Sequence, residues 1–207
     1  MNRVLIIVGL FISLISCESP TKTQDFVVIG GGLMGSSAGW QLSKNGAKVL
    51  LIEQQDSIYT FGSSFGESRI SRSLGAQGDI MSFLQQRSVV ETKELIEYLN
   101  ESDSGMRHFM EDIYQTSPVT YIRYKSQKEE LNILLQEQQD TYEYAPDRET
   151  ARTLLGMEIP DSVTIIREYK QYSGTLNPKI LISKLHKGIT HAGSIILYNE
   201  RRSSIEV

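Results

Sequence analysis

The chain has 207 residues, of which 40% are hydrophobic and 22% are charged, and its formal net charge is −4. This length suits one large domain or two small ones, and the composition is that of an ordinary globular protein. The acidic balance, with no basic stripe along the chain, excludes nucleic acid as the main partner.

The first part of the chain resembles a targeting segment. A positively charged start is followed by the apolar run Val4–Ile15, which is too short to span a bilayer but suits the core of a signal peptide. Leu14–Cys17 is similar to a bacterial lipobox, which predicts a signal peptide over 1–16, lipidation of Cys17 and a polar tether over 17–24. The chain is then expected in the bacterial cell envelope, held at the membrane by its lipid. The alternative is an uncleaved apolar leader with an incidental cysteine.

The stretch Asp25–Glu53 predicts a strand, a glycine-rich turn, a helix and a second strand that ends in an acid. Phe26–Ile29 and Val49–Ile52 are short continuous apolar runs, which favour parallel strands covered on both faces. The helix between them is expected to begin near Leu33. Together these elements predict a βαβ unit.

Three glycines of this unit, Gly30, Gly32 and Gly35, have the G-x-G-x-x-G spacing of a dinucleotide-binding loop. The first permits a tight turn, the second lets the backbone approach a pyrophosphate, and the third lets the helix pack closely on the strand. The N–H groups at the start of the helix would face the phosphates. Glu53 follows about 20 residues later and can accept hydrogen bonds from a ribose diol. A glycine turn in an unrelated α/β protein is the alternative.

Beyond Glu53, the segment Phe61–Arg72 reads F-G-S-S-F-G-E-S-R-I-S-R. Arg69 and Arg72 are three residues apart, so their guanidinium groups can point into one cavity if the segment turns helically. Two solvated surface arginines are the alternative.

The glycine fingerprint, the acid and the pattern G-S-x-x-G-[DE]-[ST]-R-x-x-R together resemble the FAD-dependent amine oxidases of the D-amino-acid-oxidase superfamily. The resemblance is to the branch of monomeric sarcosine oxidase, N-methyltryptophan oxidase and pipecolate oxidase. It runs from Asp25 to the end of the chain and includes Ser173–Pro178, which is similar to the family's G-x-[LV]-[DN]-P. It implies an α/β fold, in which a Rossmann-like FAD-binding βαβ domain carries an inserted α+β substrate domain, truncated to the N-terminal half.

The resemblance also implies the division of the chain. Residues 25–111 would be the first part of the FAD-binding domain, 112–169 a portion of the substrate domain, and 170–207 an incomplete return to the FAD-binding domain.

The resemblance assigns roles to single residues. Arg69 would stabilise negative charge on the reduced flavin, and Arg72 would hold a substrate carboxylate in a bidentate pair; these two are the expected catalytic residues. Phe65 stands where this branch often has a histidine, so a hydrogen-bonding and titrating group is missing there. The expected cofactor-binding residues are Gly30, Gly32, Leu33, Met34, Gly35, Glu53, Gln54, Ser64, Ser68 and Arg69.

The remaining sequence predicts elements in a coarse way. They are an amphipathic helix over Ile80–Leu99, a hairpin over Asp112–Tyr124, a polar helix over Gln127–Gln139, a helix capped by Asp147 that runs to Leu155, a strand over Val163–Tyr169, a helix over Pro178–His191, and strands over Ser194–Leu197 and Ser203–Val207.

The aromatic and histidine residues add no further site. Trp40 lies inside the first helix and is expected to pack in the core rather than stack on a cofactor. His108, His186 and His191 have no metal-ligand spacing, so they are interpreted as ordinary surface or helix residues and no metal is expected.

The leading functional hypothesis is an FAD-dependent oxidoreductase that oxidises the C–N bond of a secondary amine or amino acid. The flavin would take a hydride equivalent from the carbon next to nitrogen, giving an imine that water hydrolyses. A nicotinamide-dependent dehydrogenase is a second hypothesis, which leaves the arginine segment without a role. The third is a truncated, non-catalytic or split-enzyme lipoprotein, completed by a second polypeptide and binding FAD weakly by itself.

Overall fold

The structure of the protein is a computed structural model, and it describes residues 23–57, 62, 66–74, 78–127, 129, 132 and 141–201. The elements, in chain order, are β1 (Phe26–Ile29), α1 (Leu33–Lys44), β2 (Val49–Ile52), β3 (Arg69–Ser71), α2 (Gly78–Ser102), a 3₁₀ turn (Met110–Asp112), β4 (Tyr114–Thr116), β5 (Thr120–Tyr124), β6 (Tyr142–Ala145), α3 (Arg148–Leu155), β7 (Val163–Glu168), β8 (Gly174–Leu176), α4 (Pro178–His191) and β9 (Ile195–Leu197).

The predicted βαβ unit is confirmed by β1, α1 and β2. The two strands are parallel, with Phe26 opposite Val49 and Ile29 opposite Ile52. On the other side of β2 lies β9, also parallel, so the sheet has the order β1-β2-β9. The central strand β2 is therefore buried, as its continuous apolar run requires.

The first strand departs from the prediction that it is covered on both faces. Within the described part of the chain, β1 pairs with β2 alone. Phe26, Val27 and Ile29 are 48%, 58% and 53% exposed, while Val28 packs partly against the core. The apolar runs of β1 and β2 are alike, so the sequence does not distinguish an edge strand from a central one.

Between β2 and α4 the chain builds two antiparallel sheets, β3-β8-β4 and β5-β7-β6. The predicted hairpin over Asp112–Tyr124 is wrong, because β4 pairs with β8 whereas β5 pairs with β7. The short irregular segment Ser117–Val119 carries the chain from one sheet to the other. A turn pattern between two strands shows where the strands end, but it does not show that they pair.

The predicted helices with clear caps are confirmed. The Asp147 carboxylate accepts the Thr150 N–H at 2.9 Å at the start of α3. The Asn177 side chain accepts the Ile180 N–H at 3.1 Å, and Pro178 takes the first position of α4. The amphipathic helix α2 and the strands β7 and β9 also lie where they were predicted.

The main core lies where α1, α2 and α4 pack together against β2. Trp40 is 2% exposed and lies 4.9 Å from the Tyr98 ring, which confirms its packing role. A Cβ atom on Gly188 would lie 2.8 Å from Leu95 and 2.9 Å from the Trp40 ring, so α4 approaches its neighbours very closely.

Some predictions cannot be compared with the structure. The leader with Cys17, most of the predicted helix over Gln127–Gln139 and the strand over Ser203–Val207 lie outside the described residues. The domain bounds stay a prediction. None of the helices in the described ranges combines the length and apolar character needed to cross a membrane.

Candidate functional site

The loop between β1 and α1 has the geometry that its glycines predict. Gly30 has a φ of +98°, a conformation that side chains disfavour, and its N–H donates to the Ile52 carbonyl at 2.8 Å. A Cβ atom on Gly35 would lie 1.9 Å from the Gly30 carbonyl oxygen. The Gly30 carbonyl therefore lies so close to the first turn of α1 that only glycine fits at position 35.

The start of α1 is uncapped. Gly32 is the N-cap residue, no side chain accepts from the first N–H groups, and the first turn contains no acidic residue. A Cβ atom on Gly32 would meet no atom within 4 Å, so it faces open space. Uncapped N–H groups and the positive end of the helix dipole favour an anion such as a phosphate.

Glu53 ties the end of β2 to this loop. It is 2% exposed; its Oε2 accepts the Gly31 N–H at 2.6 Å, and its Oε1 accepts the Gln55 N–H at 2.9 Å. A carboxylate offers about four acceptor positions, so each oxygen keeps one for a ribose hydroxyl. The predicted ribose contact thus fits, and the same side chain also holds the loop in place.

A crevice of about 320 Å³ opens at the carboxyl ends of β1 and β2. Four of the residues predicted to bind the cofactor, Gly30, Gly32, Glu53 and Gln54, line it together with Ile29, Ile52, Glu200 and Arg201. This is the position in which parallel α/β sheets bind ligands. N–H donors at one side and a carboxylate at the other fit the pyrophosphate and ribose of the ADP half of FAD.

The two charged residues of the crevice that come from the far end of the described chain were missed by sequence reasoning. Glu200 and Arg201 follow β9, whose end runs beside Glu53: the Glu53 N–H donates to the Leu197 carbonyl at 2.8 Å, and the Glu200 N–H donates to the Glu53 carbonyl at 3.0 Å. No local signal could have found them, because their place depends on the pairing of β9 with β2.

His186, in α4, supports the glycine loop from behind. It is 5% exposed; its Nε2 lies 3.0 Å from the Gly31 carbonyl oxygen and 2.8 Å from Ser36 Oγ. The Ser36 hydroxyl donates to the same carbonyl at 2.8 Å. The His186 Nδ1 lies 2.9 Å from the Tyr198 hydroxyl. Gly31 is therefore fixed at both ends, its N–H by Glu53 and its carbonyl by Ser36 and His186.

The environment keeps this histidine neutral. Burial lowers the pKa of His186 below its ordinary value, although the Gly31 carbonyl and the charge of Glu53 act in the opposite direction. Because a carbonyl only accepts, Nε2 carries the proton and Nδ1 accepts from Tyr198. Burial, and then the charge of Glu53, raise the pKa of Tyr198, which keeps that hydroxyl protonated.

The interpretation of the histidines as surface or helix residues is wrong for His108, whereas His186 and His191 lie in α4 as interpreted. His186 is buried beside the loop, and His108, 2% exposed, lies between Asp103 (3.2 Å) and Lys184 (2.6 Å). His191 is exposed at the end of α4. Among the described residues there is no group of side chains suited to a metal ion.

The arginine segment is extended at Arg69–Ser71, so the helical turn on which convergence of the two arginines was conditional is not formed there. Arg69–Ser71 is the strand β3, paired antiparallel with β8. Arg72 lies just outside this strand, and the extended backbone gives no helical turn that would bring the two guanidinium groups together. Arg69 is exposed, and its Nη1 donates to the Ser68 carbonyl at 2.8 Å.

Arg72 lies just beyond the end of β3. Its Cζ is 5.6 Å from the centre of the Tyr121 ring, which belongs to the sheet β5-β7-β6. Of the predicted flavin-side residues, Ser68 and Arg69 do not line the crevice of the glycine loop, and Ser64, like Phe65, lies outside the described residues.

A second cavity, of about 380 Å³, connects the glycine-loop side with β3. Leu33 and Met34 of α1 line it together with Ser71 of β3 and Leu176 of β8, and most of its wall is apolar. Two of the predicted cofactor-binding residues thus lie at this cavity rather than in the crevice. An apolar cavity of this kind suits a flat ring better than a phosphate.

Comparison with known proteins agrees with this geometry. A family model described as FAD dependent oxidoreductase matches residues 25–207. A probable sarcosine oxidase of Arabidopsis thaliana is 56% identical over 48 residues, which cover 23% of this chain and 12% of that protein. An N-methyl-L-tryptophan oxidase of Yersinia pestis is 26% identical over 188 residues, which cover 88% of this chain and 46% of that protein.

A solved structure shares the fold. Glycine oxidase from Bacillus cereus aligns with a TM-score of 0.64 at 20% identity, covering 89% of this chain and 48% of that one. The chain thus spans less than half the length of these relatives.

Proposed function

The chain belongs to the family of FAD-dependent oxidoreductases, and from this membership we propose that it forms part of an enzyme that oxidises the C–N bond of a small secondary amine or amino acid. The sequence relatives named above are a sarcosine oxidase and an N-methyltryptophan oxidase, and both names refer to N-methylated amino acids. The observation that carries the proposal is the crevice in which the uncapped start of α1 and Glu53 meet at the strand ends.

The residues of the chain would act by binding and orienting. The loop Gly30–Gly35 would present its N–H groups to the pyrophosphate, and Glu53 would accept from the ribose. When bound, FAD supplies the hydride acceptor for the carbon next to nitrogen. Arg69 would place positive charge beside the ring, and Arg72 would pair with a substrate carboxylate.

Cofactor binding by the purified chain tests the first step. Titration with FAD should quench flavin fluorescence and shift the visible bands, whereas NADH should not bind. A colourless protein that binds NADH instead would favour a nicotinamide-dependent dehydrogenase and contradict the proposal.

Substrate oxidation tests the second step. N-methylglycine and N-methyltryptophan, offered to the FAD-loaded protein, should bleach the flavin absorbance in the absence of oxygen. The same amines without a carboxylate should react more slowly, because they give Arg72 no partner. Equal rates for both kinds of amine would remove Arg72 from the proposed site.

A second candidate is a subunit or portion that needs a further polypeptide to complete the fold. The observation that favours it is β1, an apolar strand whose side chains Phe26, Val27 and Ile29 are about half exposed. A strand that pairs on one side offers unpaired backbone groups and apolar surface to another chain. By itself such a chain would bind FAD weakly and turn over slowly.

Two measurements separate these candidates. If the chain acts alone, it should bind one FAD per chain and oxidise amines at a steady rate. If it needs a partner, it should associate or precipitate, and replacing Val27 and Ile29 by threonine should keep it monomeric. A monomeric, active wild-type chain would exclude the second candidate.

We also propose that Cys17 is lipidated and anchors the chain to the membrane of a bacterial cell envelope. The support is the lipobox-like sequence Leu14–Cys17 after a short apolar run. Cells fed a tagged fatty acid should label the wild-type protein, and Cys17→Ser should remove the label. Labelling that persists in the variant would refute lipidation at this residue.

A further inference from the structure

The buried carboxylate of Glu168, at the end of β7, contacts the segment that leaves β3. Glu168 and Ser73 are both 0% exposed. Glu168 Oε1 accepts the Ser73 N–H at 2.7 Å, the Leu74 N–H at 3.0 Å and the Ser73 hydroxyl. These residues directly follow Arg72, so the carboxylate fixes the main chain on the C-terminal side of that arginine.

The other oxygen of the carboxylate reaches Tyr121. The tyrosine hydroxyl lies 3.0 Å from Glu168 Oε2 and 3.1 Å from the Leu74 carbonyl oxygen. Burial, and then the charge of Glu168, raise the pKa of Tyr121. The hydroxyl therefore stays protonated and acts as the hydrogen-bond donor. The face of the same ring carries the Arg72 guanidinium, with Cζ 5.6 Å from the ring centre, a favourable cation–π distance.

These hydrogen-bond donors replace the hydration that the Glu168 carboxylate loses on burial. No ion pair found among the described residues includes Glu168. Burying a carboxylate costs several kcal/mol unless hydrogen bonds replace its hydration. Here two backbone N–H groups and two hydroxyls do so. A glutamine could not accept at both ends, because its NH₂ group only donates.

We propose that Glu168 is a positioning residue for Arg72. One carboxylate holds both the main chain next to Arg72 and the aromatic ring on which its guanidinium lies. The arginine is thereby oriented before a ligand arrives, which reduces the entropy lost on binding. The positioning of Arg72 by Glu168 is inferred from this geometry alone. The use of Arg72 to bind a substrate carboxylate rests on the proposed function.

The positioning is tested without any ligand. In Glu168→Gln, the Ser73 and Leu74 amides should exchange with solvent at least about 10-fold faster, because local opening becomes easier. The Nε–H resonance of Arg72 should move towards its position in Tyr121→Leu, which lacks the ring. The Leu51 amide in β2 should keep its wild-type exchange rate, which excludes global unfolding as the cause.

Tyr121→Phe is the matched control. It retains the ring and the three bonds to Oε1, so the Ser73 and Leu74 amides should exchange nearly as in the wild type. Wild-type exchange and an unchanged Arg72 resonance in Glu168→Gln would overturn the proposal. If Glu168→Gln does not fold, Ser73→Ala removes a single donor, and the same two signals should shift in the same direction.

A ligand titration tests the functional use. N-methylglycine and N-methylethanolamine differ in that the first has a carboxylate where the second has a hydroxyl. The FAD-loaded wild-type protein should prefer the first, and Glu168→Gln should reduce that preference about tenfold while its FAD affinity stays unchanged. An unchanged preference in the variant would overturn the role. If the wild-type protein shows no preference between the two amines, the proposed role of Arg72 is refuted. The amide exchange of Ser73 and Leu74 and the Arg72 resonance then still decide whether Glu168 positions Arg72.

Discussion

The glycine loop and the arginine segment are held in place in different ways. The loop is built from backbone: Gly35 permits a close approach, and the peptide groups of Gly31 are bonded on both sides by Glu53, Ser36 and His186. The arginine segment presents exposed side chains, and its support comes from another sheet, through Glu168 and Tyr121. The turn of the loop is thus set by its own glycines and then supported by Glu53 and His186 from further along the chain, whereas the support of the Arg72 side chain comes entirely from another sheet.

The largest expected effect on stability distinguishes Gly35 from Gly32 in the loop. Gly35→Ala places a Cβ atom 1.9 Å from the Gly30 carbonyl oxygen, so α1 must move away from β1. We expect a loss of more than about 3 kcal/mol in the free energy of unfolding, measured in urea.

Gly32→Ala is the control for that prediction. Its φ of −72° suits alanine, and the added Cβ meets no atom within 4 Å. The variant should fold normally but bind FAD more weakly, since the methyl group enters the space expected for the pyrophosphate. A stable Gly35→Ala protein would show that the close approach of α1 is not needed.

The next effect concerns Glu53. In Glu53→Gln one of the N–H groups of Gly31 and Gln55 loses its acceptor in a buried site, which should cost about 1–3 kcal/mol of unfolding free energy. Glu200→Gln, in an exposed residue of the same crevice, should change stability by less than about 0.5 kcal/mol. Equal effects of the two substitutions would mean that Glu53 does not hold the loop.

A smaller effect should depend on pH. Because the pKa of His186 is lowered in the fold, the unfolded chain binds more protons as the pH falls below about 6.5. The contribution of neutral His186 is therefore complete above that pH and is lost below it, with a slope of at most about 1.4 kcal/mol per pH unit.

His186→Gln, which does not titrate, should flatten this part of the stability curve. Urea unfolding of both proteins between pH 5 and 8 measures the difference. His191→Gln, at an exposed position in the same helix, serves as the control and should leave the curve unchanged. Parallel curves for the wild type and His186→Gln would show that the loop does not depend on the neutral form.

The smallest effect on stability is expected in the arginine segment. Arg69→Gln and Arg72→Gln alter exposed side chains, so each should change the unfolding free energy by less than about 0.5 kcal/mol. Their effects on binding should differ: Arg69→Gln should weaken FAD binding, and Arg72→Gln should weaken binding of N-methylglycine alone. Identical binding profiles would mean that the two residues do not have separate roles.

The local elements were predictable because their signals lie within a few residues. The G-x-G-x-x-G loop, the start of α1, the acid after β2, the cap Asp147 and the helix that begins at Pro178 follow from turn chemistry, helix capping and apolar runs. The crevice residues Gly30, Gly32, Glu53 and Gln54 were found in this way.

The misplaced elements share a different cause. The predicted hairpin over Asp112–Tyr124, and the helical turn on which convergence of Arg69 and Arg72 was conditional, depended on which strand pairs with which; β8 decides both cases by pairing with β3 and β4. Strand pairing joins residues far apart in the chain, so no window of sequence contains it.

By itself, the sequence determined the glycine-rich loop between β1 and α1, because a backbone turn and its glycines are specified locally. The tertiary structure alone decided that β1 pairs on one side only among the described strands, that His186 and Glu168 are buried supports, and that Glu200 and Arg201 reach the crevice. The physical reason is that decisive hydrogen-bond partners of these side chains lie far apart in the chain, such as Ser73 and Glu168 at a separation of 95 residues and Gly31 and His186 at 155.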